Sequence, residues 1–270
     1  MQDSMEVSPY IQKQRALYLE KNEWLDAHYE RIESHAFYRE IFPVGSFERR
    51  GHFEDEKGNG IGISVHEASE GAEGADGAEN GSERRGNGIG MKVKEKGEVH
   101  RFVINDEHEK LDELIGQEFA IMSPVSYFGK SRAGKNARYL YAITFDLDRV
   151  EMPQLRDTFH QMNRGFIPAA TYVVNSGTGL HLYYVLESPV AMYPQNQKFL
   201  KELKYVLTRR IWNRFTSKIE EPQVQGVLQG FRVVGTSSKL GKDYPVVAYR
   251  YGGAVALEKL LDYIPDSNGE

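Results

Sequence analysis

Between residues 139 and 250 the apolar residues repeatedly change their period, and that succession restricts the fold more than any single motif. Residues 139–147, "YLYAITFDL", read as a strand, and "EMPQLRDTFHQMNRG" follows as a helix. In that helix Pro153 suits the first position, Leu155, Phe159 and Met162 share a face, and Gly165 suits the stop. "ATYVVNS" (170–176) and "LHLYYVL" (180–186) are strands joined by the tight turn Gly177-Thr178-Gly179. From Pro194 onward Phe199, Leu200, Leu203, Val206, Leu207, Ile211 and Phe215 recur at helical spacing, with Lys201, Lys204 and Arg210 mostly on other faces. "FRVVGT" and "YPVVAYR" close the series as two more strands. The order β-α-β-β-α-β is that of a split-βαβ, ferredoxin-like α+β layout, and such a sheet leaves one face open for a ligand.

Within this frame the strand of "FDLD" ends in two carboxylates. Side chains alternate along a strand, so Asp146 and Asp148 emerge on one face while Phe145 and Leu147 enter the core. Two carboxylates so placed raise each other's pKa unless a cation lies between them, which makes the pair half of a metal site or a costly accident. The hairpin adds "NSGTGLHLYY": His181, Tyr183 and Val185 share one face, and Leu180, Leu182, Tyr184 and Leu186 share the other. Glycines at Gly177 and Gly179 permit close backbone approach of a phosphate, and a histidine there can donate to phosphate or ligate metal. In "QGFRVVGTSSK" Arg232 leads a strand and Lys239 closes a small polar turn, groups suited to phosphate or to plain solvent exposure.

Charge is distributed unevenly. The net charge is -5, yet residues 198–250 hold eleven Lys or Arg against four acids, and Lys130, Arg132, Lys135 and Arg138 form a second basic cluster. Basic clusters near an anionic metal site favour phosphate ligands over a merely solvated face. Residues 66–83 hold six acids and no Lys or Arg, the composition of a flexible acidic spacer. It is flanked by "KGNGIGISVHE" and "RGNGIGMKVKE", a local duplication that could form two strands of a hairpin. The absence of cysteine excludes disulfides and thiolate metal sites, so a bound metal would need oxygen or histidine ligands. With no long apolar run and no signal-peptide pattern, the expected location is cytoplasmic. The expected domains are a helical segment over 1–50, a flexible acidic and Gly-rich insertion over 51–100, and a catalytic domain over 101–265.

In their order, "FDLD", "SGTGLH" and "QGFRVVGTSSK" resemble the motifs of the archaeo-eukaryotic primase superfamily, the primase-polymerases of plasmids, phages and integrated elements. "IMSPVSYFGKSRAGKNARYLYA" also resembles the segment before the acidic motif in a bacterial mobile-element branch, with a weaker echo in "FYREIFPVGSFER". The resemblance covers roughly residues 118–250 and implies an RRM-like catalytic sheet. It implies a DNA-templated nucleotidyltransferase using nucleoside triphosphates, a single-stranded DNA template and Mg²⁺ or Mn²⁺. Asp146 and Asp148 would hold the metal, with Ser176, Gly177, Gly179, His181, Arg232 and Lys239 on the nucleotide. Lys130, Arg132 and Arg138 would contact nucleotide or template. The family normally adds a third acid, and here no strand-borne acid follows the hairpin; Glu220 or Glu221 in "KIEEPQ" is the candidate. No Gly-x-x-x-x-Gly-Lys-Ser/Thr helicase motif is present, so unwinding would fall to a separate helicase.

Three other readings use some of the same residues. A metal-dependent nucleotide-sugar glycosyltransferase also uses Asp-x-Asp but does not call for the histidine hairpin. A rolling-circle endonuclease needs paired histidines, and His181 has no such partner. A catalytically inactive nucleic-acid-binding module would follow if the third acid is truly missing. The acidic spacer enters none of these chemistries, so deletion of residues 68–84 is expected to leave nucleotide incorporation within a few-fold and the thermal midpoint nearly unchanged, because long flexible loops cost little to close.

Overall fold

The computed structural model describes residues 7–47, 86–93, 99–108, 110–115 and 117–264. The acidic spacer and the first copy of the duplicated segment lie outside the described residues. Helix α1 (Pro9–His28) opens with Pro9 in its first turn and Ser8 as cap, and β1 (Glu30–Ile32) and α2 (Ser34–Ile41) follow. Next come β2 (Asn87–Val93), β3 (Val99–Ile104), α3 (Leu111–Ile115), β4 (Ala120–Tyr127) and β5 (Ala137–Leu147). The chain continues through α4 (Met152–Asn163), β6 (Tyr172–Asn175), β7 (Leu180–Ala191) and α5 (Pro194–Ile211). It ends with β8 (Phe231–Arg232), β9 (Ser237–Ser238), β10 (Gly241–Pro245), β11 (Val247–Arg250) and α6 (Leu257–Leu261). Among the described residues no helix is long and apolar enough to cross a membrane.

One large antiparallel sheet has the order β1-β11-β6-β7-β5-β4-β2-β3, with β8 paired to β4. Strands β5 and β6 flank β7 and both run antiparallel to it, so β5, α4, β6 and β7 make a split β-α-β unit with a hairpin return. The fourth strand departs from the expected order. Residues Val125 and Tyr127 of β4 pair with Leu140 and Ala137 of β5, occupying that edge. "FRVVGT" therefore contributes only Phe231 and Arg232, which reach the start of β4 at Met122 and Ile121. "YPVVAYR" supplies β11 at the opposite side, between β6 and β1. The second copy of the duplicated segment forms β2, paired with β3 and β4.

Both faces of the sheet are buried. On one, Leu155, Phe159 and Met162 of α4 and Leu200, Leu203, Leu207 and Ile211 of α5 pack against Ile143, Phe145, Leu147, Leu182 and Tyr184. On the other, Phe37, Tyr38 and Ile41 of α2 and Leu111 and Leu114 of α3 cover Ala142, Tyr172, Val174, Tyr183 and Val185. The ring of Phe37 lies 5.0 Å from that of Tyr172 and 5.1 Å from that of Tyr183, edge-on to both. The expected open face is thus closed, because the segments before β5 supply helices to cover it. What remains accessible is the strand end, where Asp146 keeps 31% of its side-chain exposure. Phe199 and Phe215 do not join the apolar stripe of α5: the first is exposed, and the second lies beyond the helix end, where Trp212 turns extended. Lys204 does join it, between Leu200 and Leu207.

The hairpin turn between β6 and β7 has no room for side chains at its glycines. Gly177 has a φ of +113°, and a Cβ on Gly179 would stand 2.3 Å from the carbonyl oxygen of Leu147. Gly179→Ala is expected to cost about 2 kcal/mol, lowering the thermal midpoint by roughly 4–8 °C in a melting experiment, because the backbone of β5 cannot withdraw without breaking its register with β7.

Candidate functional site

The register of β5 against β7 sets Asp146 directly opposite His181, with Phe145 opposite Leu182 and Leu147 opposite Leu180. The apolar residues on either side of Asp146 enter one core, and Asp146 and His181 share the other face. Beyond the strand end, the Asp148 segment is held from two directions. Val150 donates its N–H to Thr178 O at 3.0 Å, and Ser217 donates its hydroxyl to Asp148 O at 2.7 Å. Arg149 between them takes a left-handed φ of +49°.

Strand β4 has diverged before β5 reaches Asp146, and a side chain completes the ladder there. Gln225 accepts the Asp146 N–H at Oε1 (3.1 Å) and donates from Nε2 to the Asp146 carbonyl (3.3 Å), as a neighbouring peptide would. Asp146 is thereby fixed by β7 on one side and by an amide on the other.

Electrostatics favour a ligand that brings positive charge to the aspartates. Burial pushes the Asp146 carboxyl up to about 6, against the opposing charges of Lys239, Lys204 and Arg232. Asp148 is raised by burial and then by the charge of Asp146. His181, almost fully buried, is driven down to about 3 by burial and then by Arg232, so its imidazole is neutral at ordinary pH. Its Nε2 stands 3.4 Å from Asp146 Oδ1, and its Nδ1 has no partner. The ring packs 5.4 Å from that of Phe231, the residue before Arg232.

The cations around the pair are held in different ways. Arg232 lies 4.4 Å over the ring of Phe119 and donates from Nη1 to Ser237 O at 3.0 Å. Lys239 is exposed at the adjoining turn. The buried ammonium of Lys204 sits over the rings of Phe145 and Phe231 and donates to Gly226 O at 3.1 Å. Burial pushes it down to about 7, with Asp146 acting in the opposite sense.

The Gly177-Thr178-Gly179 turn adjoins this group: Gly179 touches Leu147, and Gly177 packs against Ser238 of the Arg232–Lys239 turn. Asp146, Asp148, Ser176, Gly177, Gly179, His181, Arg232 and Lys239 therefore gather at one end of β5. Of the basic cluster before β5, Lys130 and Arg138 do not join them. Arg138 stands near the opposite end of the strand, about 26 Å from Asp146 at the usual rise for eight residues. Arg138 lies 4.9 Å over the ring of Phe128, and Lys130 is in the exposed β4–β5 connection. Arg132 donates to Leu228 O at 2.8 Å and lines a cleft of about 890 Å³ with Lys198, Lys201 and Gln225.

Glu220 and Glu221 are exposed in irregular chain, since α5 has already ended at Ile211 and the "EEP" segment does not terminate a helix. Among the described residues no group of three His, Asp or Glu is arranged to hold a metal. Three residues of the neighbourhood escaped the sequence reading: Lys204, Gln225, and Lys21 of α1, which bonds the Gly177 carbonyl. Only Lys204 carried a signal, a charge at i+4 from Leu200 within the apolar stripe.

No family model matches the chain, and neither does any curated protein. Among solved structures it is similar to the AEP domain of the cyanophage S-2L primase-polymerase (PrimPol), with a TM-score of 0.50 and 11% identity. The match covers 66% of this chain and 89% of that one. At such identity the likeness is one of fold, a mixed α+β architecture on a large antiparallel sheet.

The raised Asp146 carboxyl has a thermodynamic consequence. A native pKa above the ordinary 3.8 means that folding binds a proton, so the stability associated with this group is present below pH 4 and is lost as pH rises through about 6. In metal-free buffer Asp146→Asn is expected to stabilise the chain by about 1 kcal/mol at pH 7.5, discounted for partial exposure, with the gain vanishing near pH 4 in denaturant titrations.

Proposed function

We propose that the chain is a DNA-templated nucleotidyltransferase, a primase, a DNA polymerase or both, acting in replication of a bacterial mobile element. The observation that carries this reading is the facing pair Asp146 and His181 at the end of β5, with Asp148 and the glycine turn beside it, on a fold shared with a primase-polymerase domain. The split β-α-β unit supports an RRM-like platform in which β4 takes the fourth-strand position.

The donor set fits a divalent cation. The two carboxylates, both raised by burial and Asp148 further by the charge of Asp146, are hard oxygen ligands, and the neighbouring cations would accept the phosphates that complete the coordination. Asp146 and Asp148 would hold Mg²⁺ or Mn²⁺, which when bound stabilises charge on the attacking and leaving oxygens of phosphoryl transfer. Asp146 is kept in place by Gln225 and β7, so its contribution is geometry. Neutral His181 can donate a single hydrogen bond to a phosphate oxygen without adding charge. Arg232 and Lys239 supply the positive charge that orients a triphosphate, and the Ser176–Gly179 turn allows its close approach.

Lys130 and Arg138, toward the far end of β5, and Arg132, in the cleft beside Gln225, suit the template strand better than the same triphosphate. Unwinding would fall to a separate helicase. The arrangement of two acids without a third favours a site completed by water and substrate, and it also favours a second reading, a nucleic-acid-binding module without catalysis.

Labelled nucleotide incorporation on primed and unprimed single-stranded DNA with Mg²⁺ or Mn²⁺ separates the two. Asp146→Ala and Asp148→Ala are each expected to abolish incorporation while the chain stays folded, and full activity in either would end the enzyme assignment. Double replacement of Glu220 and Glu221 by Gln is expected to leave the rate unchanged, with Mn²⁺ preferred to Mg²⁺; a tenfold loss, about 1.4 kcal/mol, would instead make a glutamate the missing ligand.

A further inference from the structure

Helix α1 buries Tyr18, Lys21 and Leu25 on one face against the sheet. Tyr18 and Leu25 are ordinary core residues, whereas Lys21 is a charged side chain only 1% exposed. Its Nζ donates to Gly177 O at 2.8 Å and lies 3.5 Å from Gly179 O. Burial pushes the ammonium down to about 7, and among the described residues no carboxylate bonds it. An apolar side chain of similar length would ordinarily stabilise such a position at least as well as an isolated buried charge. What the lysine adds over such a side chain is its hydrogen bond to the Gly177 carbonyl, so its role lies with the turn.

The neighbours of Lys21 on α1 bind the same turn. Asn175 donates from Nδ2 to Asn22 Oδ1 (2.7 Å) and to Tyr18 O (3.4 Å), while its Oδ1 accepts the Gly177 N–H at 3.2 Å. Asn22 Oδ1 also accepts the Tyr249 hydroxyl at 3.2 Å. One turn earlier, Arg15 donates from Nε to Leu240 O at 2.9 Å, and the Tyr18 hydroxyl donates to Pro245 O. The same helix thus grips the glycine turn and the β9–β10 hairpin, in which Lys239 stands between Ser238 and Leu240.

We infer that Lys21 is a positioning residue for the triphosphate, holding the Gly177–Gly179 turn by its carbonyls and placing a buried amine behind it that an incoming polyphosphate holds protonated. The inference rests on the nucleotidyltransferase reading, because the turn is the segment assigned there to the nucleotide. With its carbonyls drawn toward α1, the turn is pinned on one side by Lys21 and on the other by Leu147 and Val150. In its protonated form a buried amine with no acid bonded to it among the described residues acts on an incoming polyphosphate more strongly than a solvated one. It touches neither aspartate in this arrangement, so its effect falls on binding rather than on the chemical step.

The test uses the full chain carrying Lys21→Met or Lys21→Gln, with ATP, AMP and a labelled single-stranded oligonucleotide as probes in Mn²⁺ buffer. Lys21→Met is expected to raise the Kd for ATP about tenfold or more. The Kd values for AMP and for the oligonucleotide should move less than about twofold, and the thermal midpoint should fall by no more than about 4 °C. Lys21→Gln, which keeps a donor but no charge, is expected to weaken ATP binding while retaining the fold. In incorporation assays KM should rise with kcat nearly constant.

Unchanged ATP binding in Lys21→Met overturns the inference. Equal weakening of all three probes, or loss of folding in both variants, assigns Lys21 to structure and overturns it as well. A wild-type chain that binds the oligonucleotide but no ATP overturns the nucleotidyltransferase reading, and the inference falls with it, an outcome read on the wild type before any variant.

Discussion

The antiparallel pairing of β5 with β7 is the constraint on which the rest of the site depends. Its register puts Asp146 opposite His181 and leaves Phe145 and Leu147 to anchor the strand in the core between the sheet and helices α4 and α5. A one-residue slip would turn the aspartate into that apolar core and the leucines toward the site, so the hydrophobic pattern itself enforces the functional register. The glycine turn belongs to the same constraint. Gly179 must lie against the Leu147 carbonyl for β7 to begin where it does, and that contact brings the turn to the aspartates.

Around this pairing the protein gathers charges that are individually costly. Two carboxylates are raised by burial, a histidine is held neutral, and two lysines are buried with carbonyl partners, Lys204 within the field of Asp146 and Lys21 at the glycine turn. Buried polar groups left in such numbers at one strand end are expected where a ligand, not the apoprotein, completes the electrostatics. The unpartnered Nδ1 of His181 fits that description, as does the side-chain amide of Gln225, which replaces a strand next to Asp146. The apolar cores on both faces of the sheet, including Phe145, Leu147 and Leu180 at the strand end itself, offset that cost.

The described segments before residue 101, residues 7–47, 86–93 and 99–100, pack with the rest of the described chain. β1 extends the sheet beside β11, β2 extends it beside β4, and α2 closes the face that a bare split-βαβ sheet would leave open. Closure of that face leaves the Asp146 carboxylate accessible at the end of β5. It also explains why α1, remote in sequence, reaches the glycine turn: once β11 and β6 lie side by side, the helix that precedes β1 runs past their ends.

The sequence by itself determined the local facts. Period-two alternation marked β5, β6 and β7, helical periodicity marked α4 and α5, and alternation put Asp146 with Asp148 on one strand face and led one face of the hairpin with His181. These follow from the chain's own geometry, since alternation and turn chemistry need no distant partner. Only the tertiary structure decided which strand fills the edge of β5, that "YPVVAYR" crosses to the opposite side, and that Lys130 and Arg138 stand apart from the aspartates. It alone showed Lys21, Lys204 and Gln225 at the site, with sequence separations such as 156 residues between Lys21 and Gly177. Strand order and buried charge pairing are set by competition among distant segments for the same edges and cavities, and a pattern read along one chain contains no term for that competition.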